Sequence, residues 1–504
     1  MGFIFLLKIG WSGKISETLQ RSKTMNKQTR IPLYEALIHY KNTNPISFHV
    51  PGHKSGTVLN QPPQNLFQEL LRIDATEISG LDDLHSPEGV IKEAEELLAA
   101  LYQVKESFFL VNGSTVGNLA MILSVCEKDD VVFVQRNCHK SVLNALKLAK
   151  VKPVFLEPDY NTEWKTATGV SKEVVERAIS LYPDAKAIVL TYPNYYGMVY
   201  DLKSIIDLAH LHTIPVLVDE AHGPHFIIGE PFPASAIQLG ADMVVQSAHK
   251  TLPAMTMGSY LHINSDRVNC EKVKEYLQML QSSSPSYVIM ASLDLARNYL
   301  ATYQRNDLEY LKNEISNFKK VLSTIQSIKV LEYPDSDGDT LKVTIQSRSK
   351  LSGFELQKKL EEKGIYTELA DPHNVLLILP LLKENQNYPL TEASRKIKEL
   401  LEEIPYRPIE DETIISSGKL SELAIPYEKL SNIENEVIPI AEAAGQVCAE
   451  TIVPYPPGIP LLLMGELITE EKLRQLTQLM NAGARFQGGF FLDSYQINIV
   501  KTSY

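Results

Sequence analysis

Asp219 ends the apolar run IPVLV, and Lys250 stands in SAHK just beyond the next such run, MVVQ. Successive strands of one sheet bring their ends together, so this spacing sets a carboxylate beside an amine at one sheet edge. That pairing suits pyridoxal 5′-phosphate. The lysine forms a Schiff base, and the aspartate keeps the pyridine nitrogen protonated so that the ring accepts electrons from the substrate Cα. Taken singly, each residue is more often a surface lysine or a helix-capping aspartate. Gly113, Ser114 and Thr115, in NGSTVGN, strengthen the pair: they follow an apolar run and open the helical stretch LAMILSV. Backbone N–H groups and hydroxyls at a helix N-terminus form an anion cup, although Ser114 or Thr115 could equally cap the helix. Ser247 and His249, just before Lys250, offer further donors to the same phosphate.

His139, in RNCHKS, follows another apolar run and could stack its imidazole on the cofactor ring; the bland alternative is a satisfied core histidine. His222 and His225, in DEAHGPH, could be read with Asp219 or Glu220 as metal ligands. A catalytic zinc site usually takes three protein ligands, and no HExxH pattern or cysteine cluster accompanies these two, so no metal is expected. The aromatics of YPNYYG (192–197) either line the pocket or pack under a loop. FHVPGHK (48–54) and LDDLH (81–85) are polar islands whose spacing reveals no mechanism.

The elements that must position these residues form a repeated pattern of short β-rich run, turn, then helical stretch. The runs fall at 107–111, 131–134, 153–156, 187–190, 215–218, 243–246 and 259–263. This is the signature of a mostly parallel sheet of seven strands covered by helices, with ligands at the strand ends. Beyond about residue 300 the pattern changes to a charged helix over 306–328, strands near 342–346 and 375–379, and a helix over 353–363, an α+β unit. A Pro-, Glu- and Ser-rich stretch over 405–436 reads as a linker or excursion before a last segment containing 453–466.

With 504 residues, 44% apolar and 22% charged, the chain can bury a sizeable core and lacks the composition of disorder. A net charge of −12, with no basic block, argues against a nucleic-acid partner. Four scattered cysteines without a CxxC pair fit a reducing compartment, and the cytoplasm is expected. The longest apolar runs fall far short of the ~20 residues that span a bilayer, so no membrane partner is expected. Residues 1–24 read as an upstream extension, because the stretch from Met25 resembles a natural start.

The ordered motifs FHVPGHKSG (48–56), GLDDLHSPEG (80–89), FFLVNGSTVGN (108–118), RNCHKS (136–141), VLVDEAHGPHF (216–226), SAHKTL (247–252) and PYPPGIPLLLMGE (454–466) resemble the ornithine/lysine/arginine decarboxylases. The resemblance covers nearly the whole chain from about Ile31. It implies the aspartate-aminotransferase-like α/β fold, also called fold type I of the pyridoxal phosphate enzymes, with a smaller C-terminal α+β part. The domains it implies are an N-terminal extension (1–30), an arm and cofactor-binding major domain (31–305), a small α+β domain (306–410) and a C-terminal decarboxylase-type segment (411–504). By matching position, Lys250 is the Schiff-base lysine, Asp219 the partner of the pyridine nitrogen and His139 the stacking residue. Ala221 faces the other side of the ring, His222 lies near its phenolic oxygen, and Ser114, Thr115, Ser247 and His249 hold the phosphate beside Gly113. The stretch 282–286 (SSSPS) resembles one that reaches a neighbouring subunit's cofactor, which implies a homodimer or larger homo-oligomer with composite sites. Glu466 falls where the family's C-terminal domain approaches the active-site entrance.

There are departures. Pro253, Met255, Met257 and Gly258 stand where hydroxyl residues and a glutamine are frequent, and Met464 replaces a frequent proline. The N-terminal wing of the large members has no counterpart, so the chain resembles the short bacterial branch. The implied activity is decarboxylation of arginine, lysine or ornithine to the amine and CO2, as in polyamine-type metabolism. The alternatives are an aminotransferase or aldolase-type lyase on the same fold, or a non-catalytic cofactor carrier or regulatory protein. An aminotransferase usually clamps the α-carboxylate with an arginine, and neither Arg395 nor Arg485 lies in a motif that marks one.

Overall fold

The computed structural model describes residues 27–60, 63–333, 337–407, 420–430, 433–455, 460–481 and 483–501. The expectation that residues 1–24 stand apart from the fold lies outside the described residues. Of residues 25–30, also expected to lie outside the core, Gln28 is buried and docked. Its amide donates to the Leu97 carbonyl, while its own carbonyl and side-chain oxygen accept from the buried Arg297 guanidinium at 2.8 and 2.9 Å.

Seven strands are built from the seven apolar runs: β1 (Glu106–Leu110), β2 (Val131–Gln135), β3 (Lys152–Leu156), β4 (Ala187–Thr191), β5 (Val216–Asp219), β6 (Met243–Gln246) and β7 (Ser259–Ile263). Their order in the sheet is β1-β7-β6-β5-β4-β2-β3. β3, β2, β4, β5 and β6 pair in parallel, and β7 runs antiparallel between β6 and β1. Side chains alternate between the two faces of a strand, so a sheet with helices on both sides must be apolar throughout. Val216 and Val218 accordingly enter one core while Leu217 enters the other, and Ile188 and Leu190 are split from Ala187 and Val189 in the same way.

The smaller unit has an antiparallel sheet of β8 (Ile328–Val330), β9 (Lys342–Ser347), β10 (Leu369–Ala370) and β11 (Asn374–Ile378), in the order β8-β9-β11-β10. The helix Arg305–Leu322 covers it through a buried stripe of Leu311, Ile315, Phe318 and Leu322. This helix stops short of the expected 328. The Ser323 and Thr324 hydroxyls turn back onto the Lys319 and Val321 carbonyls, and Ile328 opens β8 instead.

Part of the stretch read as a linker or excursion forms regular structure. Leu420–Glu422 forms β12, an eighth strand antiparallel to β3 at the edge of the large sheet, with Ser421 opposite Phe155. Edge backbone groups on β3 are thereby paired, a stronger pull than the polar composition of the segment. Asn435–Pro439 then pairs with Gln496–Val500, and Val453–Tyr455 with Arg485–Gln487, around a separate core that includes Ile452, Leu462 and Leu476. Among the described residues no helix is long and apolar enough to cross a membrane. The four cysteines are free thiols.

Candidate active site

The C-terminal ends of the parallel strands open into a cavity of about 300 Å³. Gly113, Ser114, Thr115, His139, Asp219, Ala221, His222, Ser247, His249 and Lys250, the ten residues named from the sequence, all line it. Three sheet loops and one helix start converge here because β5, β6 and β4 are neighbours, with Asp219 level with Thr191 on one side and Val245 on the other.

The helix Gly113–Val125 begins at the cavity wall, and Asn112, its N-cap residue, makes no side-chain cap. Ser114 and Thr115 lie inside the helix rather than at its cap, which removes the capping alternative. Its first-turn N–H groups lack a side-chain acceptor, and such a terminus attracts an anion. Gly113 has φ +76°, the left-handed region that favours glycine, and its N–H donates to the Met257 carbonyl at 2.9 Å. One turn on, Gly117 lets the helix lie close to the sheet: a Cβ there would come within 2.4 Å of Val245 and 2.8 Å of Leu110. The Ser247 hydroxyl donates to Ser114 Oγ at 2.8 Å, so the end of β6 and the helix start present their hydroxyls together.

Asp219 is 3% exposed. Its Oδ1 accepts from the Ala221 N–H at 3.1 Å, and its Oδ2 accepts from Asn118 Nδ2 at 2.9 Å. The same Asn118 amide reaches Ser141 Oγ at 2.9 Å, and Ser141 in turn meets His139 Nδ1 at 2.8 Å. The Ser141 N–H also donates to His139 Nδ1, so His139 caps its helix and its ring is held by that nitrogen. Burial lowers the His139 pKa, partly offset by the nearby Asp219 charge.

Lys250 Nζ lies 3.0 Å from His222 Nε2 and 5.6 Å from the centre of the Tyr195 ring. Burial lowers the Lys250 pKa against the opposing pull of Asp219 and Glu368, which favours a neutral, nucleophilic amine. His222 is held well below the ordinary histidine range by burial and by the Lys250 and Lys342 charges, and among the described residues its buried Nδ1 has no hydrogen-bond partner. His249 donates from Nδ1 to the Gly258 carbonyl at 2.9 Å. In its neutral form His249 therefore offers Nε2 only as an acceptor, and it donates to a phosphate only when protonated.

His225, read beside His222 as a possible ligand, is turned out of the cavity onto Thr251 and Asp339. Among the described residues no group of three or more His, Cys, Asp or Glu could hold a metal ion. Tyr195 and Tyr196 line the cavity. The departing stretch also reaches it, through Thr256 and Met257. Ser282, the first residue of the serine segment, sits beside the cavity rim, its N–H directed at Asn112 Oδ1 at 3.4 Å. Glu466 is 3% exposed and paired with Arg136 and Lys472.

Asn118 had a local signal, since it follows Ser114 by four residues and so shares its helix face. Lys342 and Glu368 had none, because both come from the small sheet region more than ninety residues beyond Lys250. Lys342 is fully buried on β9, its Nζ donating to the Tyr195 carbonyl at 2.6 Å, and burial lowers its pKa to about 7. The Tyr195 hydroxyl donates to Glu368 Oε1 at 2.8 Å.

Residues 31–340 match the family model described as Orn/Lys/Arg decarboxylase, major domain, and residues 421–491 match its C-terminal domain. The protein YaaO of Bacillus subtilis (strain 168) is 49% identical over 474 residues, covering 92% of this chain and 98% of its own. The arginine decarboxylase of the same organism is 35% identical over 484 residues, covering 94% and 98%. The solved constitutive lysine decarboxylase of Escherichia coli superposes with a TM-score of 0.75 at 20% identity, covering 99% of this chain and 85% of its own, a likeness of fold.

Proposed function

The chain belongs to the Orn/Lys/Arg decarboxylase family and is a decarboxylase of a basic amino acid, and on that premise we propose that the cavity at Lys250 and Asp219 holds pyridoxal 5′-phosphate and is where the reaction takes place. The observation that carries this reading is the donor set itself. An uncapped helix start, two adjoining serine hydroxyls, a buried carboxylate and a desolvated lysine share one cavity of about 300 Å³. These residues fit the cofactor: Gly113, Ser114, Thr115 and Ser247 for the phosphate, Asp219 for the ring nitrogen, His139 and Ala221 for the two ring faces, and His222 for the phenolic oxygen. When bound, the cofactor supplies an aldehyde for amine capture and a sink for the electron pair released as CO2 leaves.

The protein's own groups do the rest. Among the described residues Asp219 accepts from neutral donors, Ala221 N–H and Asn118 Nδ2, so its charge remains available to hold a proton on a ring nitrogen. Lys250 Nζ and His222 Nε2, 3.0 Å apart, are placed to pass a proton between them as the amine is released and recaptured. Glu368, tied to Tyr195, sets a negative charge near Lys250 and His249, which favours a substrate with a cationic side chain. Among the described residues no arginine lines the cavity, and Arg395 pairs instead with Glu399 on an exposed helix face. That arrangement disfavours transamination, which usually clamps the α-carboxylate with arginine.

The reading extends to a homodimer with composite sites. Ile46, Phe48, Val58 and Leu66 are 89%, 95%, 65% and 79% exposed, an apolar arm that water solvates poorly. Met257 is exposed at the cavity itself, and the exposed serines 282–284 begin at Asn112 on its rim. A second copy covering these surfaces accounts for all three. Free thiols throughout support a reducing compartment such as the cytoplasm.

The test is carboxyl-labelled arginine, lysine and ornithine, offered separately without an added keto acid. Labelled CO2 and the matching amine are expected from at least one, over many turnovers. Stoichiometric pyridoxamine phosphate with no labelled CO2 from any of them would overturn the decarboxylase reading.

A further inference from the structure

His225 and Asp339 are both fully buried and lie outside the cavity lining, yet they connect directly to the turn that carries Lys250. Lys250 stands in a single helical turn, Ala248–Thr251, too short to hold its own geometry. The next residue, Thr251, meets His225 Nδ1 with its hydroxyl at 3.1 Å. His225 Nε2 in turn meets Asp339 Oδ1 at 3.0 Å. A carboxylate only accepts, so Nε2 carries the proton, and in the neutral ring Nδ1 accepts from the Thr251 hydroxyl. Phe226 and Phe232 box the imidazole edge-on, with ring centres 4.9 and 4.6 Å away.

Asp339 belongs to the small unit. Its Oδ1 also accepts from the Leu341 N–H at 3.0 Å, its carbonyl accepts from the Lys342 N–H, and its N–H donates to the Gly197 carbonyl. The start of β9 therefore grips the catalytic cavity twice: through Asp339 and His225 onto Thr251, and through Lys342 onto Tyr195. Among the described residues Asp339 Oδ2 is buried without a hydrogen-bond partner, and the carboxylate's hydrogen bonds run through the oxygen facing His225. A purely structural contact at this place could be apolar at lower cost, because a buried unpaired carboxylate oxygen is unfavourable.

We propose that Asp339, His225 and Thr251 form a positioning chain by which the small sheet fixes the helical turn carrying Lys250. These are positioning residues: none touches the cavity contents through the contacts described, and each acts through the next. The inference rests on the reading of Lys250 as the cofactor-bearing lysine, so the experiment separates the two.

The holoenzyme and its Thr251→Val and Thr251→Ser variants are compared, with His225→Gln as a third. Borohydride reduction and peptide mapping first establish where the cofactor is attached; label away from Lys250 in the wild type defeats the functional reading itself. The chain predicts that Thr251→Val, which keeps the shape and removes the hydroxyl, lowers kcat roughly tenfold while KM changes less than about twofold. It also predicts reduced visible circular dichroism of the bound cofactor at unchanged Tm, and faster amide hydrogen exchange over 248–252. Thr251→Ser restores all of these to within about twofold of wild type. His225→Gln, able to keep the Asp339 contact but not the Thr251 one, behaves like Thr251→Val. Hydrogen exchange reads the coupling without catalysis and so applies whatever reaction is found. Unchanged exchange and dichroism in Thr251→Val, or equal loss in Val and Ser, overturns the positioning chain.

Discussion

Arg136 and Glu466, 330 residues apart, form a buried bidentate ion pair, with Nη1 donating to Oε1 at 2.6 Å and Nη2 to Oε2 at 2.8 Å. Arg136 opens the segment that leads through Cys138 to His139, and Glu466 belongs to the C-terminal part of the chain. Arg136 also lies 3.5 Å from Glu157, and Lys472 completes the cluster on Glu466. The C-terminal part thus anchors the segment leading to one wall of the cavity, and among the described residues it contributes no cavity-lining residue of its own.

Removing one partner of a buried pair leaves the other charge uncompensated, at a cost of about 3–5 kcal/mol. Glu466→Ala is therefore expected to lower Tm markedly and to lower kcat by loosening the His139 segment. The pair also carries a pH signature. Burial works to raise the Glu466 pKa, but Arg136 and Lys472 outweigh it and hold the carboxyl below its ordinary value. A lowered folded-state pKa means the stabilisation is complete above the unfolded value of about 4.3 and is lost as pH falls through the folded one. Tm measured against pH for wild type and Glu466→Gln should differ near neutrality and converge in acid. A constant gap down to the lowest pH at which the protein stays folded would count against this role for the pair.

Lys250 is expected to be the site of cofactor attachment. Its amine is desolvated, lies 3.0 Å from His222 Nε2, and shares the cavity with Asp219. Borohydride reduction of the purified protein followed by peptide mapping should place the pyridoxyl label there. Label on Lys342, the other buried amine near Tyr195, would reassign the site.

Asp219→Ala is expected to lower kcat far more than cofactor content, because the phosphate contacts proposed for Ser114 and Ser247 do not depend on that carboxylate. Asn118→Ala should act in the same direction and more weakly, at roughly ten- to hundredfold in kcat, since it removes one of the two donors that orient Asp219. An electron sink is needed chiefly in the transition state, so kcat and kcat/KM should fall together. Wild-type turnover in Asp219→Ala would remove it from the mechanism.

The composite sites proposed above make a further expectation testable. A subunit inactivated by Lys250→Ala, mixed with one altered at Ser283 and Ser284, should regain activity through hybrids that assemble one intact site. No recovery despite demonstrated subunit exchange would argue that each chain builds its site alone.

The parts of the site that were legible in the sequence are those whose members lie close together along the chain. SAHK, DEAHG and NGSTVGN each sit at the end of an apolar run, and a strand followed by a turn puts its last residues at a sheet edge whatever surrounds it. Period and apolar continuity were enough to set β1 to β7, because burial on both faces leaves little freedom in residue type. Asn118 was half visible, as a helix-face neighbour of Ser114 whose partner Asp219 lay a hundred residues away. What only the tertiary structure decided is which distant side chains meet: Arg136 with Glu466, Lys342 and Glu368 with Tyr195, and His225 with both Asp339 and Thr251. β12 belongs to the same class, since a short polar strand is recognisable only once β3 presents an open edge for it to pair with. Local sequence sets which backbone conformations and faces are available, but a hydrogen bond or ion pair between remote residues depends on packing summed over whole units, and no short stretch of chain encodes that sum.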